Sequence, residues 1–346
     1  MKPDSIESTI TDAPAPLAAR LKSSQEALRL AALAELLRLG QEISDCLDDV
    51  AACLAHANAG ERTLAVEVLT RMGVSAVPAL ITGLEESQPP AVRIAAASGL
   101  GRVGPAAAPA IDRLSACLTS NDPMLRWHAS FALGKMGQAA VPTLRSLLDS
   151  SNPLVVAAAV DAFEWIGEDA GEAVEDLQRL AGTASSPLLQ LACTSALLKI
   201  SGDAAAALPV IEAMLQDENQ ETRKACLERL GMLTGSAREF VPLIMGCLED
   251  PAGEVRAAAT LALARIEEEP SRILEALTER LADPDGEVRA NAAMGLARYG
   301  PAAASALLAL RALQQDPEPC LVAIANGAIE RIEKLEPQGT SDTTTE

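Results

Sequence analysis

The chain has few of the residues on which enzymes commonly rely. Only two of its 346 residues are histidine, no His-Glu dipeptide occurs, and aromatic residues make up 2% of the sequence. No Walker loop, G-x-S-x-G sequence or dinucleotide-binding glycine pattern is present. These absences argue against metal-dependent hydroxylation, nucleotide chemistry and serine hydrolysis. We expect no catalytic residues, no bound metal and no cofactor.

Long apolar runs and paired cysteines are also lacking. No stretch of eighteen apolar residues occurs, and the N-terminal sequence MKPDSIESTITDAPAP has neither an apolar stretch nor a charged leader, so we expect neither a membrane span nor secretion. The seven cysteines are odd in number and contain no C-x-x-C pair, which fits a reducing compartment. The sequence therefore predicts a cytoplasmic protein.

Positive charge is in short supply relative to negative charge. There are 28 Lys and Arg against 48 Asp and Glu, which gives a formal net charge of −20. The electrostatic field of a protein with this net charge repels nucleic acid at the distances over which the two would approach each other. The same field attracts a basic partner. Acidic residues cluster between Asp161 and Asp176 and again at Glu267–Glu269. They lack the alternating-Asp loop with its glycine that typifies calcium sites.

What the chain does have is a motif that returns about every 33 residues. An aligned position, usually arginine after an apolar residue, falls at Arg29, Arg62, Arg93, Arg126, Val156, Gln190, Arg223, Arg256, Arg289 and Val322. A period in this range indicates a stacked solenoid. We predict an all-α superhelix of about ten two-helix repeats over residues 15–335, forming one domain between disordered tails at 1–14 and 336–346.

Each repeat is predicted to contain a helix A, a short turn and a helix B. Helix A is expected to carry a proline in its first turn, at Pro78, Pro109, Pro142, Pro209 and Pro242. Helix B is expected to end at a glycine in the left-handed conformation, at Gly40, Gly73, Gly104, Gly137, Gly167 and Gly300. The helical period places one stripe of helix B in the core, which in one repeat is Val255, Ala259, Leu263 and Ile266.

Charged residues also recur at fixed positions of the repeat. Arginine at the aligned position and aspartate in the turn are predicted to cap helix B or to pair between repeats, at Arg93, Arg126, Arg223, Arg256, Arg289, Asp217, Asp250 and Asp283. A second column, nine residues after the aligned position, is basic in eight of ten repeats. It either complements the helix dipole, which we favour, or forms a ladder that grips an acidic ligand.

The pattern D-P-x-x-x-V-R-x-x-A-A-x-A-L-G-x-I-G resembles the HEAT-repeat family, most closely its bacterial phycobilisome-lyase type. The resemblance covers about residues 15–335 and implies that helix B lines a concave surface. It also implies an alternative function, in which the chain binds a bilin chromophore and assists its attachment. Because the matched positions pack one repeat on the next, they define a fold and leave the function to the exposed residues.

The aromatic residues are concentrated in one place. Trp127 and Phe131 form an i, i+4 pair on the outward side of helix B, Trp165 replaces a basic residue in the next repeat, and Phe163 holds a core position. Exposing a large apolar side chain forgoes about 1.5–3 kcal/mol of burial, so either a partner or a neighbouring repeat should cover these rings. We predict a non-enzymatic scaffold that binds another protein, as a helix or a basic segment, on its concave helix-B surface. The predicted binding residues are Trp127, Phe131, Trp165, Ile94, His128 and Asp161.

Overall fold

The fold is entirely helical in the part of the chain that the structure describes. The structure is a computed structural model, and it describes residues 16–39, 44–266 and 270–334. Within these ranges there is no strand, and α-helices alternate between helix A and helix B through ten repeats. The predicted all-α repeat fold is therefore confirmed. The predicted tails, the stop at Gly40 and the acidic run Glu267–Glu269 lie outside the described residues.

The chain divides into two compact units, which meet in sequence between Ala173 and Val174. The first unit holds five repeats, in which odd numbers denote helix A and even numbers helix B. Its helices are α1 Leu17–Leu21, α2 Glu26–Leu39, α3 Leu47–Ala52, α4 Ala59–Met72, α5 Val77–Gly83, α6 Pro90–Val103, α7 Ile111–Cys117, α8 Pro123–Lys135, α9 Val141–Leu147 and α10 Pro153–Ile166.

The second unit repeats this alternation five more times. Its helices are α11 Val174–Thr183, α12 Pro187–Ser201, α13 Ala204–Leu215, α14 Gln220–Leu233, α15 Val241–Gly246, α16 Gly253–Arg265, α17 Pro270–Arg280, α18 Gly286–Tyr299, α19 Leu307–Leu313 and α20 Pro319–Glu333. In both units, consecutive helices B pack directly on one another. The predicted core stripe of α16 is fully buried at Val255, Ala259, Leu263 and Ile266.

Short polar residues start the helices B. The side chain of Asp122 accepts hydrogen bonds from the backbone N–H groups of Met124 (2.9 Å) and Leu125 (3.4 Å), and Asn152 accepts one from Leu154 (3.0 Å). These bonds satisfy donors that the first helical turn leaves without a partner. Turn residues therefore fix where α8 and α10 begin.

The glycine at the end of helix B differs from the prediction. Gly73 has φ 60° and ψ −130°, whereas a left-handed helical stop requires ψ near +47°. The same combination of positive φ and strongly negative ψ occurs at Gly104, Gly167 and Gly300. The prediction was right about positive φ and wrong about ψ, because the chain turns into a short 3-10 segment that leads directly to the next helix A.

Proline positions also differ in part. Pro78, Pro142 and Pro242 lie in the first turns of α5, α9 and α15 as predicted. Pro109 instead lies in the 3-10 segment before α7, and Pro209 lies inside α13. Helix α13 begins earlier than the other helices A because the Asp203 side chain caps it, accepting a hydrogen bond from the N–H of Ala206 at 3.0 Å.

One helical stretch, Ala59–Gly83, is long and apolar enough to cross a membrane by length and composition alone. The positive φ of Gly73 interrupts it, so that it forms α4 of one repeat and α5 of the next. Glu61, inside this stretch, is buried and forms an ion pair with Arg29. We interpret the stretch as two packed repeat helices.

Ion pairs link the repeats of the second unit. Arg256 donates to both carboxylate oxygens of Asp283, at 2.8 and 2.9 Å, and to the backbone oxygen of Asp250 at 2.9 Å. Each arginine thus ties the turn of its own repeat to the aspartate of the next. The same arrangement joins Arg223 to Asp250 and Arg289 to Asp316.

The series of Arg–Asp ion pairs between repeats is incomplete elsewhere in the described residues. Asp217 follows the repeat in which Gln190 replaces arginine, and its carboxylate accepts a hydrogen bond from the N–H of Asn219 at 2.8 Å. It therefore stabilises the turn before α14, whereas Asn219 and not Asp217 caps that helix B. Arg93 donates to the backbone oxygen of Leu84 at 3.2 Å, and Arg126 donates to that of Ser120 at 2.7 Å. In the first unit these arginines stabilise turns through carbonyl groups.

Candidate functional site

Three aromatic rings pack together on the outward side of two successive helices B. Trp127 and Phe131 of α8 are stacked with their centroids 5.6 Å apart and their planes 4° apart. The ring of Trp165, from α10, meets Phe131 edge-on at 5.2 Å and Trp127 at 6.5 Å. Such geometries are favourable for aromatic pairs. We call Trp127, Phe131 and Trp165 the aromatic cluster.

The aromatic cluster is partly covered by neighbouring repeats and partly exposed to solvent. Trp127 remains 49% exposed and Trp165 remains 44% exposed, while Phe131 is intermediate in burial. Neighbouring repeats therefore cover part of each ring and leave an apolar surface at the outer side. Packing against a neighbouring repeat, one of the two alternatives that the sequence left open, thus accounts for part of each ring, and coverage of the rest by a partner stays a prediction.

Two glycines make this packing possible. A Cβ atom on Gly134 would lie 2.2 Å from the Cβ of Trp165, and one on Gly101 would lie 3.0 Å from Cδ1 of Phe131. Both glycines are inside helices, where glycine costs about 1 kcal/mol relative to alanine. Close approach of the rings to the adjacent helix B accounts for their presence.

Replacing Gly134 with Ala is expected to destabilise the protein by about 1–3 kcal/mol, because the new Cβ overpacks against Trp165. The matched control is Gly327→Ala in α20, where a Cβ would meet nothing within 4 Å and helix propensity should stabilise by about 0.5–1 kcal/mol. Urea unfolding midpoints measure both changes. Stabilisation by Gly134→Ala would show that the rings are not held in this arrangement.

A cation lies over the cluster. The Nζ of Lys135 is 5.3 Å from the centroid of Phe131 and 5.7 Å from that of Trp165, within range of a cation–π interaction. Because Lys135 is itself exposed, a positively charged group of a partner could take its place over the rings.

A groove of about 330 Å³ adjoins the cluster, between α4, α6 and α8. Ile94 supplies part of its apolar wall, Arg62 and Arg102 supply charge, and His128 closes one side. The ring of His128 meets that of Trp127 edge-on at 4.8 Å. Groove and cluster therefore form one continuous surface, which we call the cluster surface.

His128 brings an unsatisfied polar atom to this surface. Its Nδ1 is buried, and no group among the described residues forms a hydrogen bond with it. Burial lowers the pKa of His128, so the ring is neutral at pH 7. A buried polar atom without a partner is costly, and this one lies beneath the wall that His128 gives to the groove.

The structure thus brings five of the six predicted binding residues to one surface. Ile94 and His128 line the groove, and the three aromatic residues form the cluster. Asp161 lies on α10, one turn before Trp165, with intermediate burial, and it is outside the groove lining. That these residues bind a partner stays a prediction.

A second polar cluster was not found from the sequence. Ligand atoms of Cys53, His56 and Glu61 lie within 4.8 Å of one another. Arg29 donates to both Glu61 oxygens, at 2.6 and 2.9 Å, and Nδ1 of His56 contacts the same carboxylate. The hydrogen bond from Arg29 is the main reason that the pKa of Glu61 is lowered. Its only sequence signal was a histidine 27 residues after Arg29, at the position where repeats of the second unit carry aspartate.

This cluster is better suited to an ion-pair network than to a metal. Both carboxylate oxygens already accept from a guanidinium, whose charge opposes that of a metal ion. Burial raises the pKa of the Cys53 thiol to about 12, so it is protonated at neutral pH, whereas metal coordination requires the thiolate. The network takes over the inter-repeat role that aspartate performs in the second unit.

Members of the basic column are engaged with neighbouring repeats at several positions. Arg71 donates to the backbone oxygen of Leu37, and Lys199 donates to that of Leu233 at 3.2 Å. Both acceptors lie in the last turns of adjacent helices B, where carbonyl groups lack intrahelical donors. Arg102 pairs with Glu67. At Arg71 and Lys199 the column therefore stabilises helix ends, as the dipole interpretation predicts, whereas at Arg102 it forms an ion pair between repeats.

The fold and this surface define an α-helical repeat protein with an exposed apolar site. The family model described as HEAT repeats matches residues 47–123, 77–141, 111–198, 186–264 and 206–296, together more than half of the chain. The chain therefore belongs to the HEAT-repeat family. This match gives no support to the narrower phycobilisome-lyase type. No curated protein matches the sequence.

Several solved structures are similar in fold. One concerns Kap95p and RanGDP, with 15% identity, a TM-score of 0.45 and coverage of 91% of this chain and 50% of that chain. A Kap121p mutant has 15% identity and a TM-score of 0.46, with 91% and 41% covered. Kap121p bound to Nup53p has 14% identity and a TM-score of 0.45, with 91% and 44% covered. This chain spans at most half the length of these structures.

Proposed function

We propose that the protein is a non-enzymatic scaffold that binds a segment of another protein at the cluster surface. The observation that carries the proposal is the continuity of two half-exposed indoles with a groove whose wall includes His128. Tryptophan in a partly desolvated pocket is a frequent source of binding energy at protein interfaces. Contiguous apolar surface on a soluble protein commonly marks an interaction site.

The surface favours a partner segment of particular chemistry. An apolar side chain would cover the rings of Trp127 and Trp165, and a hydrogen-bonding group would enter the groove toward Nδ1 of His128. A helix supplies such groups at i and i+4. Basic residues flanking that helix would be attracted by the net charge of −20 and could compete with Lys135 for the rings.

We also propose that the protein acts in the cytoplasm. All seven cysteines lie in described ranges, and no disulfide joins them there. Burial raises the pKa values of Cys53, Cys117 and Cys226, which keeps these thiols protonated and unreactive. A reducing compartment suits a chain of this kind. Fractionation of cells that express the native chain tests this assignment.

The double substitution Trp127→Ala with Phe131→Ala tests the binding proposal. We expect the yield of specific co-purifying proteins, quantified by mass spectrometry, to fall by at least about tenfold, because two central apolar contacts are lost. The matched control is Leu188→Ala with Leu308→Ala, which removes two exposed apolar side chains of the second unit. Thermal unfolding by circular dichroism must show both variants folded. Full retention of every partner by the cluster variant would refute the proposal.

The bilin alternative would use the same aromatic cluster. Stacked rings of this size could lie against a planar chromophore, which is the observation that favours this alternative. Titration of the native protein with a bilin, followed by absorption spectroscopy, separates the two functions. The scaffold proposal expects an unchanged spectrum at high protein excess, whereas a shifted band that Trp127→Ala abolishes would favour chromophore binding.

A further inference from the structure

A second groove, in the second unit, crosses three consecutive helices B: α16, α18 and α20. Its volume is about 440 Å³. The floor includes Leu261 and Met294, and one rim carries Arg265, Arg298 and Arg331. We call it the three-helix groove. It lies in a different unit from the cluster surface and shares no residue with it.

The floor of the three-helix groove contains open space that the packing of the helices does not explain. Gly327 is inside α20, where glycine is unfavourable relative to alanine, yet a Cβ at this position would meet nothing within 4 Å. Gly295 gives the contrast, because a Cβ there would lie 2.7 Å from the Cβ of Ala264. Close packing therefore accounts for the presence of glycine at position 295 and does not account for it at position 327. A ligand resting on the floor would account for Gly327.

The floor also presents a large apolar side chain to solvent. Met294, at the centre of the groove on α18, is 45% exposed. Its unbranched, polarisable thioether adapts to differently shaped partners. An apolar side chain of a ligand would therefore have both space, above Gly327, and a contact, on Met294.

The rim is a row of positive charge. Arg265, Arg298 and Arg331 recur every 33 residues, and helices that pack side by side place such residues about 10 Å apart. At Arg71, Arg102 and Lys199 of this column the side chains bond to neighbouring repeats. For Arg265 and Arg331, by contrast, no carboxylate of the described ranges forms an ion pair. Their guanidinium groups are available to a ligand.

We propose that the three-helix groove binds a segment of another protein that carries both apolar and acidic side chains. Its apolar side chains rest on Met294 and above Gly327, and its carboxylates pair with the arginine rim. Charge complementarity selects acidic side chains, since guanidinium groups bind carboxylates in a bidentate manner. The net charge of the chain does not prevent this, because charges beyond about 10 Å are largely screened at 0.1 M salt.

Fluorescence anisotropy with the full-length protein tests the proposal. The probe is a labelled peptide of about 18 residues with Leu and Glu at helical spacing, and the control peptide replaces every Glu with Lys. Arg265→Gln with Arg331→Gln is expected to weaken binding of the Glu peptide by about tenfold, since each exposed ion pair contributes a few-fold. The matched variant Arg238→Gln with Arg272→Gln, which alters exposed arginines of the same unit outside the groove, should bind as the native protein does.

A groove-filling variant tests the floor separately. Gly327→Leu places a side chain where the structure has open space, so the fold should be kept and circular dichroism should show unchanged thermal unfolding or a higher midpoint. Binding of the Glu peptide is expected to fall by more than about tenfold. The Trp127→Ala with Phe131→Ala variant should bind the Glu peptide normally, which separates this groove from the cluster surface.

Three results would overturn the proposal. The first is equal binding of the Lys and Glu peptides, and the second is native affinity in the Gly327→Leu variant. The third is displacement of the peptide by a single-stranded oligonucleotide at a lower concentration than the unlabelled peptide requires, which would assign the arginine row to phosphate recognition.

Discussion

Replacing Arg256 with Ala is expected to lower the free energy of unfolding by about 3–5 kcal/mol. The substitution removes both hydrogen bonds to the carboxylate of Asp283 and one to the backbone oxygen of Asp250. Asp283 is buried, so its charge would keep only the more distant Arg280, at 3.9 Å, in a poorly solvated position. The urea midpoint and the slope of the transition measure the loss.

The control for this prediction is Arg311→Ala. Arg311 pairs with Glu333 at 2.7 Å, but both side chains are exposed, and exposed pairs contribute about 1 kcal/mol or less. A comparable loss of unfolding free energy in the two variants would contradict the view that Arg256 and Asp283 form a buried interaction between repeats.

The pH dependence of the Arg256→Ala effect provides a second check. In the native protein, burial acts to raise the pKa of Asp283, but hydrogen bonds from Arg256 and the backbone outweigh it and hold the pKa below its ordinary value. The stability from this carboxylate is therefore fully present above the unfolded pKa, about 3.9, and is lost as pH falls through the folded pKa. In the variant, the carboxylate loses the hydrogen bonds from Arg256 that hold its pKa down. The difference between the two proteins should therefore shrink as pH falls below about 3.9 and through the folded pKa, and a constant difference would exclude an electrostatic origin.

Replacing Phe163 with Ala is expected to destabilise the first unit by about 3–5 kcal/mol. The side chain is fully buried in α10, so its removal loses apolar burial and leaves a cavity. Trp165→Ala, two residues later on the same helix, is the matched comparison. Because Trp165 is largely at the surface, this variant should lose less stability and should lose partner binding instead. Urea midpoints and co-purification yields, measured on both variants, separate the two roles.

The opposite pattern would contradict our view of the aromatic cluster. Equal destabilisation by the two substitutions would place Trp165 in the core. Loss of partners in a folded Phe163→Ala protein at low temperature, with retention in Trp165→Ala, would move the binding surface away from the cluster.

Repetition is the reason that the sequence alone predicted so much of the fold. A period of about 33 residues and a helical apolar stripe at Val255, Ala259 and Leu263 require two helices per repeat that bury one side against the next repeat. The structure confirms this arrangement. Local chemistry likewise predicted positive φ at Gly73, since this depends on residues within one turn.

Deviations from the repeat were less predictable. The sequence marked Trp127, Phe131 and Trp165 as unusual, but their partial burial depends on two glycines, Gly101 and Gly134, that belong to different helices. Burial of a ring is decided by how closely two helices approach, and spacing along one helix does not contain that distance.

Charged residues show most clearly which properties the sequence determines and which depend on the tertiary structure. The sequence by itself determined that the chain is a helical repeat protein, that its arginines and aspartates recur in register, and that its aromatic residues gather in one place, because these properties follow from local periodicity. Only the tertiary structure decided that Arg256 pairs with a buried aspartate, whereas Arg29 pairs with Glu61. It also decided that Arg331 faces a groove. The reason is physical: the partner of a charge is set by distances between helices, and residues of one type at one repeat position meet different neighbours in each repeat.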